Sequence, residues 1–163
     1  MSSRSAFRVR PARAGDVAIV VALVNEFAAE QSMLPRTPES IHLTLDSVVV
    51  AVDFQDRVLA CGALKEYSPS LAEVASVAVA RSAHGTGLGR AIVHAVEDLA
   101  RMRDIHELFA LTLTPGFFAA LGYTTAERAG YPEKIRRDCV GCNRRAACRE
   151  VCVRRRISMA LAA

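Results

Sequence analysis

Long apolar runs are missing from this sequence, and cysteine is rare outside its final quarter. No apolar stretch approaches the roughly 18–20 residues that span a bilayer, so we expect no membrane-spanning helix. Before Cys139 the chain contains a single cysteine, Cys61, which excludes a small disulfide-packed protein. Residues 1–13 contain arginines but no apolar block behind them, which disfavours a signal peptide and predicts a cytoplasmic protein.

The composition itself is that of a globular protein. The chain has 163 residues, of which 52% are hydrophobic and 23% charged, and this length suits one domain with one core. The formal net charge of +4 is unevenly spread, because nine basic residues and two acids lie between Lys134 and Arg156. This shift predicts a main domain over residues 1–131 and a basic, cysteine-rich tail over residues 132–163, packed on or extending that domain.

Hydrophobic periodicity predicts an α/β protein in which strands and helices alternate irregularly. Thr37 and Pro38 have the residue types of a helix cap and a first helical position, and the unbroken run Val48–Val52 favours a strand. The predicted strands cover residues 7–11, 48–52, 57–66, 72–79, 108–112 and 123–126. The predicted helices cover residues 17–31, 38–45, 88–103 and 115–122.

The most informative segment is the glycine-rich turn His84–Arg90, which follows the strand that ends at Val79. A turn of this kind exposes several backbone N–H groups at the start of a helix, which favours binding of a phosphate group. No lysine follows the glycines, so the segment is not a nucleotide-binding P-loop. It also lies in mid-chain after antiparallel hairpins, which disfavours a dinucleotide-binding fold.

This turn resembles the coenzyme A pyrophosphate loop, Q/R-x-x-G-x-G/A, of the GCN5-related N-acetyltransferase (GNAT) family. The segment Phe117–Tyr123 is similar to that family's late aromatic helix-turn, and the strand order agrees as well. The resemblance implies the α/β fold of acyl-CoA N-acyltransferases, with a mixed, mostly antiparallel central sheet flanked by helices. It also implies a sheet that splays near residues 77–79.

The resemblance implies acetyl-CoA as co-substrate and a set of residues that bind it. His84 departs from the family pattern, which has Gln or Arg there, although a histidine can still donate a hydrogen bond. The implied contacts are Val77, Ala78, Val79, His84, Gly85, Thr86, Gly87, Leu88, Gly89, Arg90 and Phe118.

Acetyl transfer to an amine needs a group that removes a proton, because free α-amines are largely protonated near neutral pH. Glu73 lies on the strand just before the glycine-rich turn, where the family places such a base. The resemblance implies that a backbone N–H near Val77 or Val79 stabilises the oxyanion. Phe118 stands where many members have a tyrosine that protonates the leaving thiolate, so Thr112 and Thr114 are candidate donors, unless the thiolate leaves unaided.

A narrower resemblance, to N-acetylglutamate synthases, covers nearly the whole chain. It rests on four segments: Met33–Thr37, Ala72–Val79, Leu111–Phe118 and Tyr131–Cys142. It implies L-glutamate as acceptor and a role in arginine biosynthesis. An acidic amino acid needs cationic partners, and the matching positions imply that Arg36, Ser76 and Lys134 bind it.

Four cysteines of the tail, Cys139, Cys142, Cys148 and Cys152, lie within fourteen residues of one another. Two short pairs could surround a tetrahedral zinc ion, and redox-sensitive or inert thiols are the alternatives. The tail could also bind nucleic acid electrostatically, as part of a non-catalytic acetyl-CoA-binding module. However, no aromatic residue after position 131 is present to stack on bases.

We therefore expect small-molecule partners, acetyl-CoA and L-glutamate, rather than nucleic acid or a membrane. The sequence leaves a homodimer open. It also leaves open another acceptor for the acetyl group: glutamine, another amino acid, a polyamine or a protein.

Overall fold

The computed structural model describes residues 6–30, 32–142 and 148–158. The helices of the described chain are α1 Val17–Ala29, α2 Pro38–Leu43, α3 Leu88–Met102, α4 Pro115–Ala119 and α5 Pro132–Lys134, which a π-helical turn, Ile135–Cys139, extends. The strands are β1 Arg8–Pro11, β2 Val48–Val52, β3 Val58–Ser68, β4 Leu71–Val79, β5 Glu107–Thr112, β6 Thr124–Thr125 and β7 Val151–Arg156.

The strands form one mixed sheet in the order β1-β2-β3-β4-β5-β7-β6. This confirms the predicted α/β fold class with a mixed, mostly antiparallel sheet, since β4 and β5 are parallel whereas β1–β2, β2–β3, β5–β7 and β6–β7 are antiparallel. The chain divides into two compact units. Unit 1 takes its described residues from Met1–Lys65 and Val74–Leu99, and unit 2 takes them from Glu66–Glu73 and Ala100–Ala163.

In unit 1, β2 forms where the run Val48–Val52 predicts a strand and is buried along its whole length, which is typical of a continuous apolar strand. Helix α1 places one face, with Val17, Val20 and Val24, in the same core. Thr37 caps α2 as predicted: its side chain accepts a hydrogen bond from the Ser40 amide, and Pro38 occupies the first turn. The core of this unit is therefore built from the side chains that the sequence pattern marks.

In unit 2, β7 pairs with β5 from Glu107↔Arg156 to Thr112↔Val151 and with the short β6 on its other side. The prediction that strands end with residues 123–126 is therefore wrong. The sequence pattern does not predict β7, because its second half, Arg154–Arg156, consists of three consecutive arginines. The apolar first half alone is too short to indicate a strand. The buried Cys152 of β7 packs with Phe109 and Tyr131.

Several other boundaries differ from the predicted ones by one to three residues, including those of β3 and α1. Strand β3 runs through Tyr67 to Ser68, where a loop is predicted, so the connection to β4 is a two-residue turn, Pro69–Ser70. Helix α1 ends at Ala29 rather than extending to Gln31, and Gln31 lies outside the described residues. Of the helices within the described ranges, none combines the length and apolar composition that a bilayer crossing requires.

Candidate active-site residues

The glycine-rich turn of unit 1 connects the end of β4 to the start of α3. Gly85 and Gly87 have φ angles of +76° and +84°, a region that residues with a Cβ adopt only at a cost. A Cβ built on either glycine would meet no other atom within 4 Å. The backbone conformation, rather than crowding, therefore requires glycine here. The backbone amides of the glycine-rich turn lie at the N-terminus of the 15-residue helix α3, as a phosphate-binding turn needs.

His84 makes contacts within this unit. Its Nε2 atom lies 2.8 Å from the carbonyl oxygen of Val79, and its ring stacks on Phe27 with 6.2 Å between ring centroids. Arg81, which forms ion pairs with Glu26 and Glu30, covers the same Phe27 ring. The imidazole therefore links the turn to the end of β4 and to α1. A contact of His84 with coenzyme A stays a prediction.

Arg36 and Ser76, both predicted to bind the acceptor, lie together in unit 1. The Nη1 atom of Arg36 donates to Ser76 Oγ at 3.3 Å, and further guanidinium hydrogen bonds reach Ser40 and Thr44. Asn25 of α1 binds both the backbone N–H and the backbone carbonyl of Arg36, each at 2.9 Å. These hydrogen bonds hold the guanidinium in a defined position.

Ser76 has an unusual backbone conformation for a strand residue, with a φ of +54°. Its carbonyl oxygen lies 3.5 Å from the buried Cys61 thiol, which donates to it. A left-handed residue interrupts the regular alternation of N–H directions along a strand. The interruption falls immediately before Val77, one of the two residues whose N–H is predicted to stabilise the oxyanion.

Glu73, the predicted base, lies in the part of β4 that belongs to unit 2, opposite Phe109 of β5. Its side chain is only 7% exposed, and its Oε2 atom lies 3.0 Å from the Nζ atom of Lys134. The same ammonium group lies 2.8 Å from Asp138 Oδ2, one helical turn further along. Lys134, predicted to bind substrate, therefore forms ion pairs with two carboxylates of its own chain; substrate binding by Lys134 stays a prediction.

Tyr67 completes this group of side chains. Its hydroxyl lies 2.9 Å from Glu73 Oε2 and 2.7 Å from Asp138 Oδ2, so the phenol and the ammonium bridge the same two oxygen atoms. The Arg137 guanidinium lies over the phenol ring, 4.6 Å from its centroid. We call Tyr67, Glu73, Lys134 and Asp138 the carboxylate cluster.

The protonation states of the two bridging groups follow from their surroundings. Burial and the Glu73 and Asp138 carboxylates raise the pKa of Tyr67 well above its usual range, so Tyr67 remains a neutral phenol. Burial alone would lower the pKa of Lys134, but the attraction of both carboxylates outweighs it and the pKa is raised. Lys134 therefore remains a cation.

Thr112 and Thr114, the candidate thiolate-protonating residues, form a local pair at the end of β5. The Thr114 amide donates to Thr112 Oγ1 at 2.9 Å, and the two hydroxyl oxygens are 3.1 Å apart. Phe118 of α4 is buried and packs edge-on against Tyr123, which is also buried. The catalytic and cofactor-binding roles of these residues stay predictions.

The structure does not support the predicted zinc site. Among residues 6–30, 32–142 and 148–158, no group of three or more His, Cys, Asp or Glu side chains is arranged to hold a metal ion. Cys152 is fixed in the core by β7, and Cys148 accepts a hydrogen bond from Arg128 at 3.4 Å.

Three residues of these sites have no assigned role in the sequence reasoning: Asn25, Tyr67 and Asp138. Asp138 carries a local signal, because it follows Lys134 by four residues and such pairs meet on one helix face. Tyr67 carries none, since 71 residues separate it from Asp138. Asn25 looks like an ordinary polar residue on the surface of α1.

Comparison with known proteins agrees with this fold. The family model described as acetyltransferase (GNAT) family matches residues 21–131. The uncharacterized N-acetyltransferase CT2212 of Chlorobaculum tepidum is 36% identical over 143 residues, which cover 88% of this chain and 92% of that protein. The chain therefore belongs to the GNAT family and is an acetyl-CoA-dependent N-acetyltransferase.

Other relatives carry more specific names. The amino-acid acetyltransferase of Mycobacterium tuberculosis is 33% identical over 121 residues, covering 73% of this chain and 69% of that protein. Rv2747 of M. tuberculosis, solved in complex with CoA, has a TM-score of 0.79 at 26% identity, covering 93% of this chain and 99% of that one. An N-acetylglutamate synthase of Neisseria gonorrhoeae, solved with coenzyme A and N-acetyl-glutamate, has a TM-score of 0.84 at 26% identity; the match covers 96% of this chain but 36% of that one.

Proposed function

We propose that this protein transfers the acetyl group of acetyl-CoA to the α-amine of L-glutamate, as an N-acetylglutamate synthase. The observation that carries the proposal is the contact between Arg36 and Ser76, which fixes a guanidinium group beside β4. The positive charge of a fixed guanidinium attracts a carboxylate, which suits an acidic amino acid. The names of the amino-acid acetyltransferases and the ligands of the Neisseria synthase support the same acceptor class.

In the proposed reaction, the amine nitrogen attacks the thioester carbonyl. Glu73 accepts the proton that the amine loses, since a carboxylate can act as the general base of this step. A backbone N–H of Val77 or Val79 stabilises the oxyanion. The C–S bond then breaks, and the coenzyme A thiolate either leaves as such or takes a proton from Thr112 or Thr114.

Coenzyme A binding in this proposal depends on the glycine-rich turn. Gly85 and Gly87 keep side chains away from the amides at the start of α3, which leaves them able to donate to a pyrophosphate. Isothermal titration with coenzyme A tests this part of the proposal separately. An absence of binding at millimolar ligand would contradict it.

The decisive experiment is a screen of the twenty amino acids and of polyamines, in which release of free coenzyme A thiol reports turnover. We expect the highest kcat/KM for L-glutamate. Arg36→Ala should raise the KM for glutamate by roughly tenfold to a hundredfold while leaving the KM for acetyl-CoA nearly unchanged. Arg57→Ala, which removes an exposed arginine of the same unit, is the matched control and should behave as wild type.

Two results would overturn the proposal in different ways. A higher kcat/KM for a neutral or cationic amine would keep the enzyme class but assign another acceptor. An equal rise of both KM values in Arg36→Ala would show that Arg36 does not discriminate the amino acid from acetyl-CoA.

A further inference from the structure

The carboxylate cluster has a hydrogen-bond geometry that its own ordinary protons cannot satisfy. The Tyr67 hydroxyl lies within 2.9 Å of an oxygen of Glu73 and within 2.7 Å of an oxygen of Asp138. A phenol carries one hydrogen, so at any moment Tyr67 donates to only one of these oxygens. The second contact becomes a hydrogen bond only when the facing carboxyl group is protonated. The cluster is therefore arranged for a state with one additional proton.

The cluster is largely shielded from water. Lys134 lies between the two carboxylates, in a region where the Lys134 and Glu73 side chains are each 7% exposed.

The two acids differ in their access to water. The Glu73 side chain is 7% exposed and the Asp138 side chain 13%. Asp138 also lies in the π-helical turn that follows α5, whereas Glu73 lies within β4 between its neighbours in the sheet. A proton that enters at Glu73 therefore has its route to solvent at Asp138.

We propose that Tyr67 and Asp138 carry away the proton that Glu73 removes from the acceptor amine. This inference rests on the proposed function, since it takes Glu73 as the base. The protonated Glu73 carboxyl gives its proton to the Tyr67 oxygen while the Tyr67 O–H gives its own proton to Asp138. Tyr67 is a neutral phenol before and after the step, Glu73 is again a carboxylate, and Asp138 releases the proton to water.

Lys134 has a separate part in this arrangement. Its ammonium group contacts Glu73 Oε2 and Asp138 Oδ2, the same two atoms that the phenol contacts. It thereby fixes both acids at hydrogen-bonding distance from the hydroxyl. Tyr67, Lys134 and Asp138 act through Glu73, so we regard them as positioning residues.

The test compares Tyr67→Phe with Tyr131→Phe in steady-state acetyl transfer at several buffer concentrations and constant pH. Tyr131 is the matched control because it lies in the same unit, stacks on Phe109 and donates its hydroxyl to Glu107, outside the cluster. In Tyr67→Phe we expect kcat to fall by roughly tenfold to a hundredfold, with the KM for acetyl-CoA unchanged. Increasing concentrations of a small buffer base such as imidazole should restore part of the lost rate, because the buffer takes the proton directly.

If Tyr67 had a purely structural role, Tyr67→Phe would lower the free energy of unfolding, and its rate of acetyl transfer would not depend on buffer concentration. Wild-type activity in Tyr67→Phe, or a lowered rate that buffer does not restore, overturns the proton route while leaving the proposed function intact. Lack of acetyl transfer to any amine by the wild-type protein overturns the proposed function, and the proton route with it.

If Tyr67→Phe does not fold, Asp138→Asn decides the question. It keeps the size of the side chain and removes the acid that receives the proton. We expect the same loss of kcat and the same partial rescue by buffer, whereas the exposed Asp104→Asn should behave as wild type. Unchanged turnover in Asp138→Asn overturns the inference.

Discussion

The side-chain amide of Asn25 forms two hydrogen bonds with the backbone of Arg36: its Nδ2 donates to the carbonyl oxygen and its Oδ1 accepts from the amide, both at 2.9 Å. The loop that carries Arg36 is thus tied to α1 by a side chain eleven positions earlier. The position of the Arg36 guanidinium depends on the position of the Arg36 backbone. Asn25 therefore controls the position of the proposed carboxylate-binding group.

Replacing Asn25 should therefore impair recognition of the amino acid. In Asn25→Ala we expect the KM for glutamate to rise by roughly tenfold, because the Arg36 backbone loses both hydrogen bonds. The KM for acetyl-CoA should stay within about twofold of wild type. Steady-state kinetics with each substrate varied in turn measures both values. Equal changes in the two KM values would argue against this positioning role.

Removing the charge of Glu73 should impair the chemical step. In Glu73→Gln we expect kcat to fall by roughly 10²- to 10⁴-fold, because the amide cannot accept the amine proton. Coenzyme A affinity, measured by calorimetry, should change little, since the glycine-rich turn is unaltered. Glu39→Gln, an exposed carboxylate of α2, is the control. Full activity in Glu73→Gln would exclude Glu73 as the base.

The glycine-rich turn allows a test with a close internal control. Gly87→Ala should lower coenzyme A affinity and cost roughly 1–2 kcal/mol of stability, because a residue with a Cβ is strained at a φ of +84°. Gly15→Ala also places its Cβ in open space but at a position without positive φ. Coenzyme A affinity and stability should therefore both stay near wild type in this variant. Calorimetry and urea unfolding measure them. Equal behaviour of the two variants would contradict the prediction.

Asp16 should make the stability of the fold depend on acid pH. Its carboxylate accepts two hydrogen bonds from Arg10, at 2.7 and 3.0 Å, and one from the Arg13 amide. The hydrogen bonds from Arg10, more than any other contact, lower the pKa of Asp16 below its usual value. The stabilisation is thus complete above the unfolded-state pKa of about 3.9 and is lost as the pH falls through the lower folded-state value.

Asp16→Asn should consequently lower the free energy of unfolding near neutral pH by roughly 1.5–3 kcal/mol. It should also weaken the dependence of stability on pH below about 4. Urea unfolding at a series of pH values checks both effects, with Asp104→Asn as an exposed control. A pH dependence in Asp16→Asn as steep as in wild type would assign the acid sensitivity to other carboxylates.

Local signals predicted a large part of the fold. The β-branched run of β2, the Thr37–Pro38 start of α2 and the glycine-rich turn are each determined by neighbouring residues, and each appears where the sequence places it. The base candidate Glu73 could also be proposed, because the family resemblance places such a group on the strand before the turn.

What the sequence could not predict depends on contacts between distant residues. Strand β7 is stabilised by pairing with β5 and β6, not by its arginine-rich pattern. The partners of Glu73 are Tyr67 of β3 and Lys134 of α5, and no spacing rule connects either of them with Glu73. Four closely spaced cysteines in a sequence resemble a metal site. In the structure, however, Cys152 is buried in the core.

The position of β7 in the sheet also affects how unit 2 folds during translation. This strand lies between β5 and β6 in the sheet, yet the ribosome synthesises it after both of them. During translation, β5 and β6 each have an unpaired hydrogen-bonding edge until residues 151–156 emerge. Only then can β7 pair with both strands. A nascent chain that is stalled or shortened before this point would expose those edges to other chains, which is a common origin of aggregation.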